Sequence, residues 1–504
     1  QTWTSDYAAV GMAGTNNGVV EVSMIPPLNL ESRLKYLIQY PHGCVEQTTS
    51  SVFPQLYLAD VLDLSAEQKA KIQSNVTEGI NRLKTFQLSN GGMAYWPGAY
   101  AEASEWGTNY AGHFMLEAKE KGYALPAGFL DNWIKFQKQQ ANGWSASASS
   151  NRSYYNGELV QAYRLYTLAL AKQPAMGAMN RMKQTPNLSV AAKWRLAGAY
   201  MLAGKTEVAK AMVSSIETTV ENYKELSYTY GSSSRDEAMI LEVLALMKDN
   251  VRGKKVFDNI AKTMASRNWY STQTTAYALL AITKFIGGSG KSDLKYNIVL
   301  NGKSENISST TPIKQTKLSF ANSASGNLSI TNNGSKKLFV QIQLDGIPLV
   351  GDQSSSENDL KLSVKYMNMD GMTIDPAIIE QGTDFIAEVT IANPGVRGHY
   401  KEMALTQIFP SGWEIRNTRM DVNESTKLKD KPDYEDFRDD RVYTYFDIDR
   451  NKSKTFRILL NASYLGEFYL PTVYCEAMYD HEINAKKAGR WVKVIQAGGE
   501  LSAN

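Results

Sequence analysis

The sequence predicts a multidomain α + β chain, in which a long helical region is inserted into one β domain and followed by a second β domain. Three observations predict it. From Glu31 to about Gly287 apolar residues recur at helical spacing in segment after segment. The connections between those segments share a pattern, and at Gly287-Gly288-Ser289-Gly290 the chain switches to alternating strands and Asn-Gly turns. At 504 residues the chain is too long for one core, and roughly two to four domains are expected.

Residues 1–29 read as a polar lead with a turn at Asn16-Asn17-Gly18, then a strand over Val19–Ile25 that stops at Pro26-Pro27. That strand has no neighbour in sequence to pair with, so its partners are expected from the later β region. Residues 30–288 carry twelve predicted helices: Glu31–Tyr40, Thr48–Leu62, Ala66–Leu88, Ala103–Gly122, Phe129–Gln140, Gly157–Lys172, Met176–Lys183, Ser189–Ala203, Glu207–Val220, Asp236–Asp249, Lys254–Ala265 and Thr272–Ile286. Ile240, Val243, Leu244 and Met247 illustrate the i, i+3, i+4, i+7 spacing of one buried face. The connections Asn90-Gly91-Gly92-Met93-Ala94-Tyr95-Trp96, Asn142-Gly143-Trp144-Ser145 and Asn268-Trp269-Tyr270-Ser271-Thr272 each set a turn-forming Asn before an aromatic residue and then a helix. Recurrence of this kind signals helical hairpins stacked as repeats, here about six, either closed into an α/α toroid or left as an open solenoid.

Residues 289–351 alternate as strands, with Asn301-Gly302 and Asn333-Gly334 as hairpin signals. They are few for an independent β domain, and pairing with Val19–Ile25 completes one. Residues 352–359, rich in Ser and acidic groups, read as a linker, and 360–504 as an antiparallel β-sandwich with strands near Leu362–Tyr366, Phe385–Ala392, Ala404–Phe409, Val442–Ile448, Thr455–Asn461, Tyr469–Met478 and Trp491–Ile495.

Composition excludes several classes. A net charge of +3 from 54 basic and 51 acidic residues leaves no electrostatic footprint for nucleic acid. Two cysteines, Cys44 and Cys475, do not make a disulfide scaffold. No apolar run approaches the length of a membrane span. The four histidines, His42, His113, His399 and His481, show no metal-ligand spacing, so neither metal nor cofactor is expected.

The stretch that carries chemistry is Tyr40-Pro41-His42-Gly43-Cys44-Val45-Glu46-Gln47. Residues three apart share a helical face, so Cys44 and Gln47 can meet. Acylation of the Cys44 sulfur by the Gln47 carbonyl, with loss of ammonia, would leave an internal thioester. A thiol, with a pKa of about 8.5, is a far better leaving group than an amide nitrogen, so such a bond acylates amines and hydroxyls. Pro41 ends any preceding helix, Gly43 supplies backbone freedom, and Thr48-Thr49 are expected to open the next helix. A bare Cys-x-x-Gln occurs by chance, and a lone Cys is more often a small buried hydrophobe.

With Pro41, Gly43-Cys44, Glu46-Gln47 and Thr48-Thr49-Ser50 in place, the segment resembles the thioester region of the alpha-2-macroglobulin and complement family, and Val45 resembles its bacterial branch. Phe409-Pro410-Ser411-Gly412-Trp413-Glu414-Ile415 and Asp436–Arg441 are similar to the C-terminal macroglobulin-like domain of bacterial members. The resemblance implies an α/α-toroid thioester domain inserted in a CUB domain, a Cys44–Gln47 cross-link, and a chain that is the C-terminal portion of a longer protein. It also implies a broad-spectrum endopeptidase inhibitor rather than an enzyme, trapping proteases by one acylation of a lysine amine and open to small amines such as methylamine. A periplasmic or cell-surface location, with a lipid anchor in a missing N-terminal region, fits that role.

A thioester needs cover from water, and Tyr40, Tyr95, Trp96, Trp106, Trp144, Tyr154 and Tyr155 are the aromatic candidates, against the plainer reading of helix-end packing. The family's hydroxyl-directed members use a toroid histidine as catalyst. Residues 142–157 contain none, which favours direct attack by amines. Two other chemistries compete: a toroid acting on glycans through two of Glu102, Glu105, Asp236 and Glu237, and a cysteine hydrolase with Cys44 as nucleophile and His113 as base. The charged run Asp430–Arg441 reads as a salt-bridged loop rather than a cation site.

Overall fold

The computed structural model describes residues 1–39, 43–98, 101–146, 157–223, 225, 228–265, 270–287, 292–321, 323–348, 351, 354–416 and 430–498. They fall into two compact units, Gln1–Ile347 and Pro348–Asn504.

In chain order the helices of the first unit are α1 (Leu30–Gln39), α2 (Val45–Val52), α3 (Leu58–Val61), α4 (Ala66–Lys84), α5 (Glu105–Glu120), α6 (Phe129–Gly143), α7 (Glu158–Leu170), α8 (Met176–Lys183), α9 (Val190–Leu202), α10 (Thr206–Val213), α11 (Ser233–Met247), α12 (Asn250–Ala265) and α13 (Thr272–Gly287). Six are buried nearly all round. In α13, every residue from Thr272 to Thr283 is buried. Its outer counterpart α4 buries only Val76, Gly79, Ile80 and Leu83, one stripe of an amphipathic helix. That difference sorts the helices into two layers. The inner helices α2, α5, α7, α9, α11 and α13 each pack on the next, and α13 packs back on α2, so the ring closes as a toroid and the open solenoid is ruled out. Serine hydroxyls start four of them: Ser104, Ser189, Ser232 and Ser271 each accept a first-turn N–H, of α5, α9, α11 and α13 respectively.

The predicted helix over Thr48–Leu62 is instead three pieces. It begins at Val45, stops at Val52, passes through a 3₁₀ turn at Pro54–Tyr57 and resumes as α3. Pro54 has no N–H to donate and its ring crowds the preceding turn, which accounts for the break.

The toroid is inserted between strands of a β-sandwich. β1 (Thr2–Ala8) and β2 (Asn17–Ser23) precede it, and β3 (Leu294–Leu300), β4 (Lys303–Ser309), β5 (Ile313–Leu318), β6 (Ser325–Asn332) and β7 (Phe339–Asp345) follow. The sheets run β1-β6-β3-β4 and β5-β2-β7, closing on Tyr7, Val20, Val22, Tyr296, Ile298 and Ile330. Asn301-Gly302 turns the β3–β4 hairpin with both residues at positive φ. Asn333-Gly334 does not make a hairpin: β6 pairs with β1 and β3 while β7 pairs with β2, so this connection crosses between sheets. Lys35 pairs with Asp345 at 2.7 Å and Lys314 with Asp63 at 2.5 Å, tying the toroid to the sandwich.

The second unit is an antiparallel sandwich whose main sheets have six and five strands, centred on Tyr400–Ile408 and Asp384–Ala392. Two readings need correction here. The expected strand Tyr469–Met478 is Gly466–Leu470 and Val473–Ala477 in different sheets, because Pro471 cannot donate to a ladder. Within the expected linker, Ser356–Asn358 pairs with Asp480–Lys487 as an edge strand. Cys475 is a buried core thiol whose pKa burial pushes well up. The charged run forms a hairpin, Tyr434–Phe437 against Arg441–Ile448, with Arg438 on Asp436 at 2.9 Å and Arg441 on Asp440 at 2.6 Å.

Candidate functional site

Cys44 and Gln47 face one another across the first turn of α2. Cys44 is the N-cap, with extended backbone at φ −65° and ψ 171°, and its Sγ accepts from the Gln47 backbone N–H at 3.4 Å. In return Gln47 Oε1 accepts from the Cys44 backbone N–H at 3.4 Å. The reciprocal pair is a capping box with a thiol where Ser or Thr normally stands. Both side chains are buried, Cys44 at 0% and Gln47 at 3% exposure, which limits access of water to either.

The turn is held from several directions. The Val45 N–H donates to the Tyr95 carbonyl at 3.1 Å, bringing the Asn90–Trp96 connection onto the motif. Tyr95 stacks on Tyr230 at 5.1 Å and meets Trp96 edge-on at 5.7 Å. Tyr230 sits at φ 51°, on a loop whose Tyr228, Thr229 and Tyr230 N–H groups all donate to the Glu225 carboxylate. On the other side Arg82 donates to the Gly43 carbonyl at 2.9 Å. The glycine supplies room rather than an unusual φ, since a Cβ at Gly43 would stand 2.4 Å from the Arg82 guanidinium.

Glu46 is buried at 1% exposure. Its carboxylate accepts from Ser50 Oγ at 2.6 Å and from Thr272 Oγ1, the first residue of α13, at 3.2 and 3.1 Å. Ser50 also meets the Tyr110 hydroxyl at 3.2 Å. With the Ser50 proton committed to Glu46, the tyrosine donates.

Along the ring's interior lies a second polar cluster. His113 Nε2 is 2.8 Å from Glu117 and Nδ1 is 2.9 Å from the Tyr163 hydroxyl, which accepts from Tyr277 at 2.6 Å. Lys284 bonds Glu117 and lies 2.7 Å from Glu242, and Arg195 is 2.7 Å from the other Glu242 oxygen. Burial raises Glu117 to about 7, with Lys284 opposing and Glu242 adding. Burial also acts to raise Glu242, but Lys284 and Arg195 outweigh it and hold that carboxyl well below the usual range. Burial keeps the His113 imidazole neutral by lowering its pKa well below the ordinary value. His113, Glu117 and Glu242 could by geometry ligate a cation. Two carboxylates already balanced by an ammonium and a guanidinium leave no charge deficit for one.

The aromatic candidates separate. Trp96 stands beside the motif through Tyr95, whereas Trp106 is core, under the Arg235 guanidinium at 4.1 Å and against Tyr163. Trp144 ends α6 and packs on the toroid core. Tyr40, Pro41, Tyr154 and Tyr155 lie outside the described residues. The competing chemistries find no support. Glu105 is tied to buried Arg164 and Asp236 to buried Arg235, while Glu237 bonds the Val220 N–H and Asn259, so these carboxylates belong to separate networks. Both ring nitrogens of His113 are engaged by Glu117 and Tyr163, leaving it unsuited as a base for Cys44. Sequence reasoning missed Arg82, Tyr110 and Tyr230, and it gave no role to Ser50 and Thr272, which it quoted only within the motif and within a repeated connection.

Comparison with known proteins agrees with this architecture. Residues 19–301 match the family described as the A-macroglobulin TED domain, and residues 360–482 the bacterial alpha-2-macroglobulin MG10 domain. The chain is 23% identical over 510 residues to the alpha-2-macroglobulin of Escherichia coli (strain K12), covering 96% of this chain and 30% of that protein. The Xylella fastidiosa (strain Temecula1 / ATCC 700964) protein is also 23% identical, with 93% and 30% covered. Among solved structures, native Escherichia coli alpha-2-macroglobulin from domain MG7 to the C-terminus superposes with a TM-score of 0.79 at 20% identity, covering 98% of this chain and 82% of that one. Salmonella alpha-2-macroglobulin reacted with methylamine superposes at 0.80 and 22% identity, covering 98% and 33%. The chain thus spans about 30% of the length of these curated relatives.

Proposed function

The chain belongs to the bacterial alpha-2-macroglobulin family, and from that premise we propose that it is the thioester-bearing part of a protease trap. The observation that carries the proposal is the reciprocal Cys44–Gln47 capping box, buried at the start of α2. In forming the bond, the Cys44 sulfur attacks Gln47 Cδ, the C–N bond breaks, and the thiol proton leaves with the amide nitrogen as ammonia. Oε1 stays on the acyl carbon, where the Cys44 N–H that donates to it stabilises the oxyanion of each tetrahedral intermediate. The Gln47 N–H points at the sulfur and favours the departing thiolate, as does the positive end of α2. An amine then attacks Cδ, the C–S bond breaks, and the amine proton passes to the thiolate, leaving a stable amide and a Cys44 thiol. The nucleophile in the complete protein is a lysine of an attacking protease, and small amines reach the same carbon. The solved Salmonella relative reacted with methylamine supports amine reactivity in the family. Each molecule reacts once, so the protein is an inhibitor rather than an enzyme, and its place of action is the periplasm or cell surface.

Intact mass and thiol titration, before and after methylamine and beside a Cys44→Ala control, test the proposal. The expected results are a mass short by one ammonia, then methylamine uptake with release of one thiol. A full mass with an unmodified Gln47 in the peptide map refutes it, whereas Glu at that position records a thioester already hydrolysed.

A further inference from the structure

The acyl-transfer scheme leaves Glu46 unused, although it lies between the two reacting residues and is itself buried. An ionised carboxylate stays in such a place only when well partnered. Here Ser50 donates from the same helix, Thr272 from α13 and, through Ser50, Tyr110 from α5, so three inner helices converge on one side chain. The carboxylate also lies at the first turns of α2 and α13, both positive helix ends. The Thr272 hydroxyl is not needed by its own helix, because Ser271 Oγ already accepts the Thr274 N–H at 3.2 Å. Helix α2 has only eight residues before the break at Pro54, too few to hold its first turn unaided. Fraying of that turn would separate the Cys44 and Gln47 donors from the sulfur and oxygen they serve.

We propose that Glu46 is a positioning residue for the thioester: by accepting from Thr272 it pins the first turn of α2 to the ring-closing helix α13 and keeps Cys44 and Gln47 in reacting geometry. The inference rests on the thioester reading above. It is tested in the full chain with Thr272→Val, which removes the hydroxyl at constant size, Thr272→Ser, which keeps it, and Glu46→Gln beside Glu46→Ala. The readouts are the fraction of folded protein short by one ammonia and the rate of methylamine-induced thiol release, with melting temperature recorded for each. Loss of one charge-assisted hydrogen bond is expected to slow methylamine-induced thiol release by about tenfold in Thr272→Val and to lower the fraction short by one ammonia. Thr272→Ser restores most of both, and Glu46→Gln retains more than Glu46→Ala. A purely structural contact would lower the melting temperature and leave occupancy in the folded fraction unchanged. Wild-type occupancy and rate in Thr272→Val overturn the inference, and should that variant not fold, equal occupancy in Glu46→Gln and Glu46→Ala does so. A wild-type chain of full mass with Gln47 intact overturns the thioester reading instead, and this inference with it.

Discussion

Replacing Glu117 with Gln separates the electrostatics of the ring interior from its packing. In the folded chain the Glu117 carboxyl is pushed from 4.5 to about 7 by burial, against the pull of Lys284. The folded state therefore binds that proton more tightly than the unfolded state does. Stability on this account rises as pH falls through 7 and levels off below 4.5, and above 7 the ionised carboxylate carries its full penalty. A shift of this size corresponds to about 3 kcal/mol. Glutamine is neutral throughout, so Glu117→Gln should gain about 3 kcal/mol on the wild type between pH 4.5 and 8, roughly 6 °C in melting temperature for a domain of this size. Of the groups facing Glu117, Glu242, Lys284 and Arg195 stay charged across that window, and burial lowers the His113 pKa well below its ordinary value, which favours the neutral imidazole. Scanning calorimetry of both chains from pH 4.5 to 8 makes the measurement. A melting-temperature gap that does not change with pH would refute the reasoning, by showing that Glu117 ionises normally inside the ring.

Arg164→Met should lower the urea midpoint by an amount equivalent to about 3–5 kcal/mol, because it leaves the Glu105 carboxylate facing an apolar side chain in a buried pocket. A loss under about 1 kcal/mol would mean that water reaches Glu105. Tyr230→Ala removes the ring stacked on Tyr95 and opens the aromatic wall beside the motif. Peptide mapping should then find Glu at position 47 accumulating several-fold faster on storage than in the wild type, and an unchanged rate would show that the Tyr95–Tyr230 pair does not limit water.

Much of the toroid was legible because its helices carry their layer in their composition. Outer α4 shows one apolar stripe, whereas inner α13 is apolar or small at almost every position. Closure of the ring was not legible, since it depends on α13 meeting α2, residues more than two hundred positions apart. The same holds for the interior cluster, whose charges come from α5, α9, α11 and α13. A local sign of it existed. Arg195 lies between Trp194 and Leu196, and Glu242 between Leu241 and Val243, so a charge embedded in an apolar run marks a buried ion pair. Asn333-Gly334 misled because the dipeptide reports a tight turn, and the two strands it joins belong to different sheets. The start of α2 was misplaced at Thr48 because hydroxyl residues are the usual caps, and the residue that caps it is a thiol.

That misplacement points to the strongest argument for chemistry at the site. At α4, α5, α9, α11 and α13 the side chain that caps the helix is a serine hydroxyl. Sulfur is a weaker acceptor than a hydroxyl oxygen, so Cys44 is an inferior cap in a position where the geometry would accept serine unchanged. The two demands can be pulled apart by Cys44→Ser. As a cap the serine should hold the first turn of α2 at least as well as the thiol, leaving the melting temperature equal to that of the methylamine-treated wild type or up to about 1 kcal/mol higher in stability. As a nucleophile it should fail: the chain should keep its full mass and take up no methylamine, because an alkoxide is too poor a leaving group to be exchanged with the Gln47 amide. A Cys44→Ser chain markedly less stable than the amine-treated wild type would mean that the cysteine is there for packing, and the argument from capping would fall.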